Sequence, residues 1–259
     1  MKHPWAGRDL GTRTVSYDEN DAILYALAVG ATAQQLDLVF ERDLRVLPTF
    51  ALVLGQWAPD AVGTAGAFDP RVAVHGSQRL DVHGPLPRAG AVEMSARVRE
   101  VWDKGSAAVF DIEVAAEQFT AVWSVFAPGA GGFGGERGAS VPRGTGERAR
   151  EVPVATRAEQ AALYRLLGDK HHIHVDPEAA KAIGAPRPIL HGLCSLAASA
   201  LALAPAYGAH PADLTVLEGR FASPVLPGDS LAVRDSGAGG FEVAVEDRTV
   251  ISGGRIGFA

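Results

Sequence analysis

The chain writes one local plan twice. Ser16-Tyr17-Asp18-Glu19 has the hydroxyl-then-carboxylate spacing of a helix start, Ala22 to Val29 is an apolar helical run, and Gly30 can end it. Further on, Thr156-Arg157-Ala158-Glu159 opens Gln160 to Leu167, again with a tyrosine inside and a glycine, Gly168, at the end. A longer apolar stretch follows each: Val46 to Trp57, from Pro48 a second buried helix or a helix after a short turn, and Pro188 to Ala202, a small-residue helix. Strands come next in both copies, and Pro85-Leu86-Pro87-Arg88-Ala89-Gly90 is echoed by Pro224-Val225-Leu226-Pro227-Gly228-Asp229. An amphipathic helix must bury its stripe, and a run of strands offers one apolar face to cover it. The prediction is an α+β chain built from two copies of a unit of about 120 residues.

The strands of the first copy are read at Val72–Val82, Ala91–Val101, Ala107–Ala115 and Gln118–Phe126, and those of the second at Thr215–Phe221, Leu231–Arg234, Phe241–Val245 and Val250–Phe258. Between the copies, residues 129–150 read GAGGFGGERGASVPRGTGERAR, without period and dominated by Gly, Arg and Ser. The expected division is therefore a first unit at 1–128, a connector at 129–150 and a second unit at 151–259. Gly129 to Gly134 matches G-x-G-x-x-G, but no helical pattern follows, so a dinucleotide loop is rejected.

Composition narrows the function classes. The net charge is −6 and no basic tract stands out, which argues against nucleic acid as a partner. One cysteine, Cys194, excludes an intrachain disulfide framework and suits a reducing compartment. The start, MKHPWAGRDLG, lacks the apolar core of a signal peptide. The run from Ile189 to Tyr207 is interrupted by His191, Gly192, Ser195 and Ser199, so it reads as a buried helix rather than a membrane span. A cytoplasmic protein is the expectation.

The two copies differ where chemistry would sit. After Gly30 the first has Ala31-Thr32-Ala33-Gln34, and after Gly168 the second has Asp169-Lys170-His171-His172-Ile173-His174. A carboxylate and an imidazole at Asp169 and His174 could hold one water between them, one taking its proton while the other orients it. The same residues also read as a polar loop in solvent. His171, His172, His174, Asp176 and His191 could ligate a metal, but no i, i+4 pair of the HExxH type is present, and uncoordinated polar residues are the plainer reading. His191-Gly192 precedes an apolar helix, whose first N–H groups can stabilise an oxyanion; a capping histidine beside a turn is the alternative. Cys194 reads as a buried, inert thiol, and Lys104 as a solvated turn lysine or a phosphate contact.

At Tyr164-Arg165-Leu166-x-Gly168-Asp169-x-x-x-x-His174-x-Asp176-Pro177 and Pro188-Ile189-Leu190-His191-Gly192-Leu193-Cys194, the sequence resembles the (R)-specific enoyl-CoA hydratase family, hydratase 2 or MaoC-like dehydratases. The resemblance extends over nearly the whole chain. It implies a double hot-dog fold, in which each half wraps a curved antiparallel sheet around a long helix. It also implies reversible hydration of trans-2-enoyl-CoA to (R)-3-hydroxyacyl-CoA, with no metal or redox cofactor. By resemblance, Asp169 and His174 activate the water and handle the α-carbon proton, and the Gly192 N–H binds the thioester oxygen. His75, Gly76, Lys104, His171 and Phe221 match positions around the acyl-CoA (or acyl-carrier thioester), with the first half holding the acyl tail. A homodimer is expected. One departure is plain: the family's Asp-x-Asn-Pro-x-His stands here as Asp169-Lys170-His171-His172-Ile173-His174, so an imidazole replaces an amide and the stiffening proline is lost. The resemblance also leaves room for an impaired acyl-thioester-binding or partner subunit, or for a repurposed biosynthetic dehydratase.

Overall fold

A computed structural model describes residues 2–138 and 149–259. The stretch 139–148 of the expected connector lies outside the described residues. The strands are β1 (Asp9–Tyr17), β2 (Val74–Val82), β3 (Gly90–Asp103), β4 (Ala107–Ala115), β5 (Phe119–Pro128), β6 (Arg150–Ala155), β7 (Leu214–Phe221), β8 (Ser230–Asp235), β9 (Gly240–Val245) and β10 (Arg248–Phe258). The helices are α1 (Glu19–Ala28), α2 (Leu36–Val39), α3 (Ala51–Leu54), α4 (Trp57–Thr64), α5 (Gln160–Tyr164), α6 (Pro177–Ala182) and α7 (Gly192–Leu203).

The strands form one 10-stranded antiparallel sheet in the order β1-β3-β4-β5-β2-β7-β10-β9-β8-β6. Read outward from the middle, the two halves have the same order, so the repeated plan becomes a pseudo-twofold axis between β2 and β7. Leu80 and Leu217 face each other across that seam, both fully buried, and Arg79 reaches Glu218 at 3.0 Å. This is the arrangement expected of a double hot-dog: two helix-bearing halves on one antiparallel sheet.

The central helix of the second half runs without a break and has buried small residues on nearly every side. Its closeness to the sheet explains that composition. A Cβ on Gly219 of β7 would lie 2.8 Å from Leu196 of α7. The helix starts at Gly192, not Pro188, because the segment 185–190 is irregular and carries prolines. In the first half, of the two readings of Val46–Trp57, the helix after a short turn is the nearer: a 3-10 turn at Pro48–Phe50 leads into α3, and α4 follows. Gly55 separates α3 from α4 where the chain passes over Trp123, and a Cβ there would lie 2.6 Å from the indole.

Two capping expectations are corrected. Ser16 belongs to β1, opposite Ala91, and α1 is capped by Asp18 with Asp21 closing the reciprocal bond. The Thr156–Glu159 box does not form: the Thr156 hydroxyl donates to the Asp229 carbonyl and accepts from the Gly228 N–H, tying β6 to the turn before β8. Strands β1 and β6 were not read from sequence. The first part of the expected connector is folded: the Asp103 carboxylate accepts N–H bonds from Gly132, Gly134, Gly135 and Gly105.

Candidate active site

The helix of the second repeat ends at Gly168, whose φ of 149° lies in the positive region that glycine tolerates; Gly30 does the same in the first repeat with φ 109°. Asp169 follows at once. Its Oδ1 accepts the His171 N–H at 3.1 Å, closing a local turn. The chain then makes a short 3-10 turn, His172–His174, capped by the His171 ring, whose Nδ1 accepts from the Ile173 N–H at 3.4 Å. His171 thus serves the loop, though it replaces an amide.

His174 turns inward and is buried. Its Nδ1–H donates to the Ile189 carbonyl at 2.8 Å, so the bare Nε2 faces Asp169 Oδ2 at 3.9 Å. Burial lowers the His174 pKa below its ordinary value, against the opposing pull of the Asp169 charge. The ring is therefore neutral near pH 7, with an unprotonated nitrogen opposite a partly exposed carboxylate.

His191, weighed in the sequence as a helix-start histidine or metal ligand, lies in the centre of the site. Its ring stacks on His174 with centroids 3.6 Å apart and planes at 22°. Its Nε2–H donates to the Asp169 carbonyl at 3.2 Å. Gly192 comes next and opens α7, so its N–H belongs to the first turn, where no helical acceptor exists. Phe221, at the end of β7, packs on Gly192 so closely that a Cβ would lie 2.9 Å from the ring. The other face of the aromatic patch is His75, 4.8 Å from Phe221. His75 Nε2 bonds the Ser77 carbonyl at 3.0 Å, and burial lowers its pKa to about 4. Gly76 lets β2 approach β5, since a Cβ would lie 3.1 Å from the Ser124 carbonyl oxygen.

The structure thus brings Asp169, His174, Gly192, Phe221 and His75 into one contiguous region, with His171 building its loop. Lys104 is held in the β3–β4 turn, where its ammonium donates to the Arg137 carbonyl. Of two cavities of about 290 Å³ each, one is lined by residues between Gln34 and Asp43 and the other by Leu44–Val46, Pro85–Arg88 and Ala212; neither is lined by Asp169 or His174.

Among the described residues, Asp169, His174 and His191 offer ligand atoms within 4.8 Å of one another. The stacked rings keep their lone pairs in nearly parallel planes, so both cannot point at one ion at about 2.0–2.1 Å. Of the other candidates, Asp176 caps α6 through the Glu178 N–H and His172 is exposed. Cys194 is buried, and burial pushes its thiol up to about 12, so it is no nucleophile. The three-residue set is better suited to holding and moving a proton.

The family model of the MFE-2 hydratase 2 N-terminal domain matches residues 15–126, and that of the MaoC like domain matches residues 142–251. Enoyl-CoA hydratase ChsH3 of Mycobacterium tuberculosis is 36% identical over 247 residues, covering 88% of this chain and 86% of that protein. The chain belongs to the MaoC-like hydratase 2 family. Mouse peroxisomal multifunctional enzyme type 2 is 35% identical over 245 residues, or 87% of this chain, which spans 33% of that longer protein. A MaoC-like dehydratase from Phytophthora capsici superimposes with a TM-score of 0.86 at 25% identity, covering 98% of this chain and 96% of that one. For this hydratase 2 family member, the sequence singled out Asp169, His174 and Gly192 as site candidates, but not His191 as the residue that touches all three. Its only linear signal was its place before Gly192.

Proposed function

We propose that this chain is a hydro-lyase that reversibly adds water to a trans-2-enoyl-CoA, giving the (R)-3-hydroxyacyl-CoA. The observation that carries the reading is the bare Nε2 of a buried, neutral His174 facing the Asp169 carboxylate at 3.9 Å, beside the start of α7. A water between the two groups gives up a proton to one of them as its oxygen bonds to C3. The C2=C3 electron pair moves toward the thioester carbonyl, whose oxygen gains negative character and accepts from the Gly192 N–H. The proton is returned to C2, and the pair is restored. Donors of this kind are worth about 3 kcal/mol of barrier.

His75, Gly76 and Phe221 support a wall for the thioester end, with the acyl tail lying toward the first half. Lys104, whose ammonium donates to the Arg137 carbonyl, is read as a contact for the anionic end of the CoA and not for the reacting carbons. Against the reading of an impaired binding subunit stands the loop itself. The His171 N–H and ring still build the turn around Asp169 that Asn and Pro would otherwise shape. A cytoplasmic homodimer completes the reading, and sedimentation of the purified chain tests the dimer. Among the described residues, no helix is long and apolar enough to cross a membrane.

Crotonyl-CoA hydration with chiral analysis of the product is the test. Asp169→Asn is expected to lower kcat by about 10²–10⁴-fold. A variant that hydrates as fast as the parent defeats the reading.

A further inference from the structure

Three parts of the site meet on one residue. The His191 ring lies against His174, its Nε2–H holds the Asp169 carbonyl, and its backbone leads into Gly192. The residue is 2% exposed, and the Tyr164 ring packs beside it with centroids 4.7 Å apart. With Nε2 carrying the proton, Nδ1 is the unprotonated nitrogen, and it has no hydrogen-bond partner among the described residues. Two imidazoles packed face to face out of water resist carrying charge together. A ring so placed fixes the plane of its neighbour and spans the gap between the acid's loop and the oxyanion donor's helix.

We propose that His191 is a positioning residue for this reaction. Stacking sets the orientation of the His174 ring, and the hydrogen bond to the Asp169 carbonyl sets the separation of Asp169 from Gly192. The proposal rests on the reading of Asp169 and His174 as the acid–base pair.

Three variants separate the two contributions. His191→Gln keeps a donor at the reach of Nε2 without the ring. His191→Phe keeps a ring to stack and drops the hydrogen bond. His191→Ala drops both. Each is assayed beside the parent for crotonyl-CoA hydration, with kcat and KM measured separately and kcat/KM followed across pH. His191→Ala is expected to lose about 10²-fold in kcat, as misplacement of a reacting group by about 1 Å does, while KM stays nearly constant. His191→Gln and His191→Phe each recover part of that loss.

The acid limb of kcat/KM should move to higher pH in His191→Ala, where water reaches His174, and stay in place in His191→Phe. The other charged groups acting on His174 are Asp169, His171 and Arg165; Asp60 of α4 acts on Asp169 and His171. These remain in every variant. If His191→Ala does not fold, the other two variants decide.

Parent-like kcat in all variants overturns the proposal and leaves the acid–base reading standing. So does a loss that follows only the folded fraction, with the acid limb unmoved. A parent with no turnover on crotonyl-CoA sinks the acid–base reading, and this proposal with it, before any variant is measured.

Discussion

Three histidines of the site region are held neutral by the same cause. Burial lowers His75 to about 4, and it lowers His174 and His191 below the ordinary value, the His174 charge adding to the effect at His191. In the unfolded chain each binds a proton near pH 6.5. The unfolded state therefore gains protons first as pH falls, and the stability these neutral rings carry is present above about pH 6.5 and lost below it. The slope is at most about 1.4 kcal/mol per pH unit for each ring. Chemical denaturation at a series of pH values from 7 to about 4.5 should show stability falling with pH, more gently in a His75→Gln variant. An identical fall in that variant would remove His75 from the account. Gly192 gives a second test at this scale. Its Cβ would meet the Phe221 ring at 2.9 Å, so Gly192→Ala should cost about 1–3 kcal/mol of stability and impair turnover. A variant with parent-like melting and rate would show that Phe221 yields freely. Asp169, His174 and Gly192 were legible because each sits in a linear motif. The stacking of His191 on His174 was not, because it exists only once the loop has folded back onto the start of α7.

Elements were legible where local pattern and tertiary demand agree. The strands β3, β4 and β5 alternate buried and exposed residues, and their limits came close to those observed. β1 is mostly exposed along its length, so its alternation is faint, and β6 is a short strand containing Pro153. In the first half, the apolar run of Val46–Trp57 left open one buried helix or a helix after a short turn, and Gly55 under Trp123 ends the first helical segment. The glycine-rich stretch after β5 read as connector because its folding depends on one distant carboxylate. Backbone donors, led by Gly132, hold the Asp103 carboxyl down to about 2. Asp103→Asn should speed hydrogen exchange at the Gly132, Gly134 and Gly135 amides while leaving α7 protected. Unchanged exchange at those amides would mean that other contacts hold the loop.

At the scale of the whole molecule, the repeat foretold two units but not that they share one sheet. The β2–β7 seam buries Leu80 against Leu217 and carries the Arg79–Glu218 pair. Unfolding should accordingly be a single transition in calorimetry, with matching calorimetric and van't Hoff enthalpies. Leu217→Ala should lower that one transition by about 2–5 kcal/mol of stability. A scan that resolves into two peaks would show that the halves melt independently.

The broken helix of the first half and the unbroken α7 of the second divide the labour of the molecule. Short segments parted at Gly55 can be repacked one at a time, so on the proposed function the half with Ala31 to Gln34 in place of Asp169 to His174 is the one that would be reshaped for a different acyl chain. The half holding Asp169 and His174 has no such latitude, since one unbroken helix carries Gly192 at its start and follows directly on the stacked His191 ring. On that proposal, breadth of diet and constancy of reaction would be inherited from opposite ends of one polypeptide.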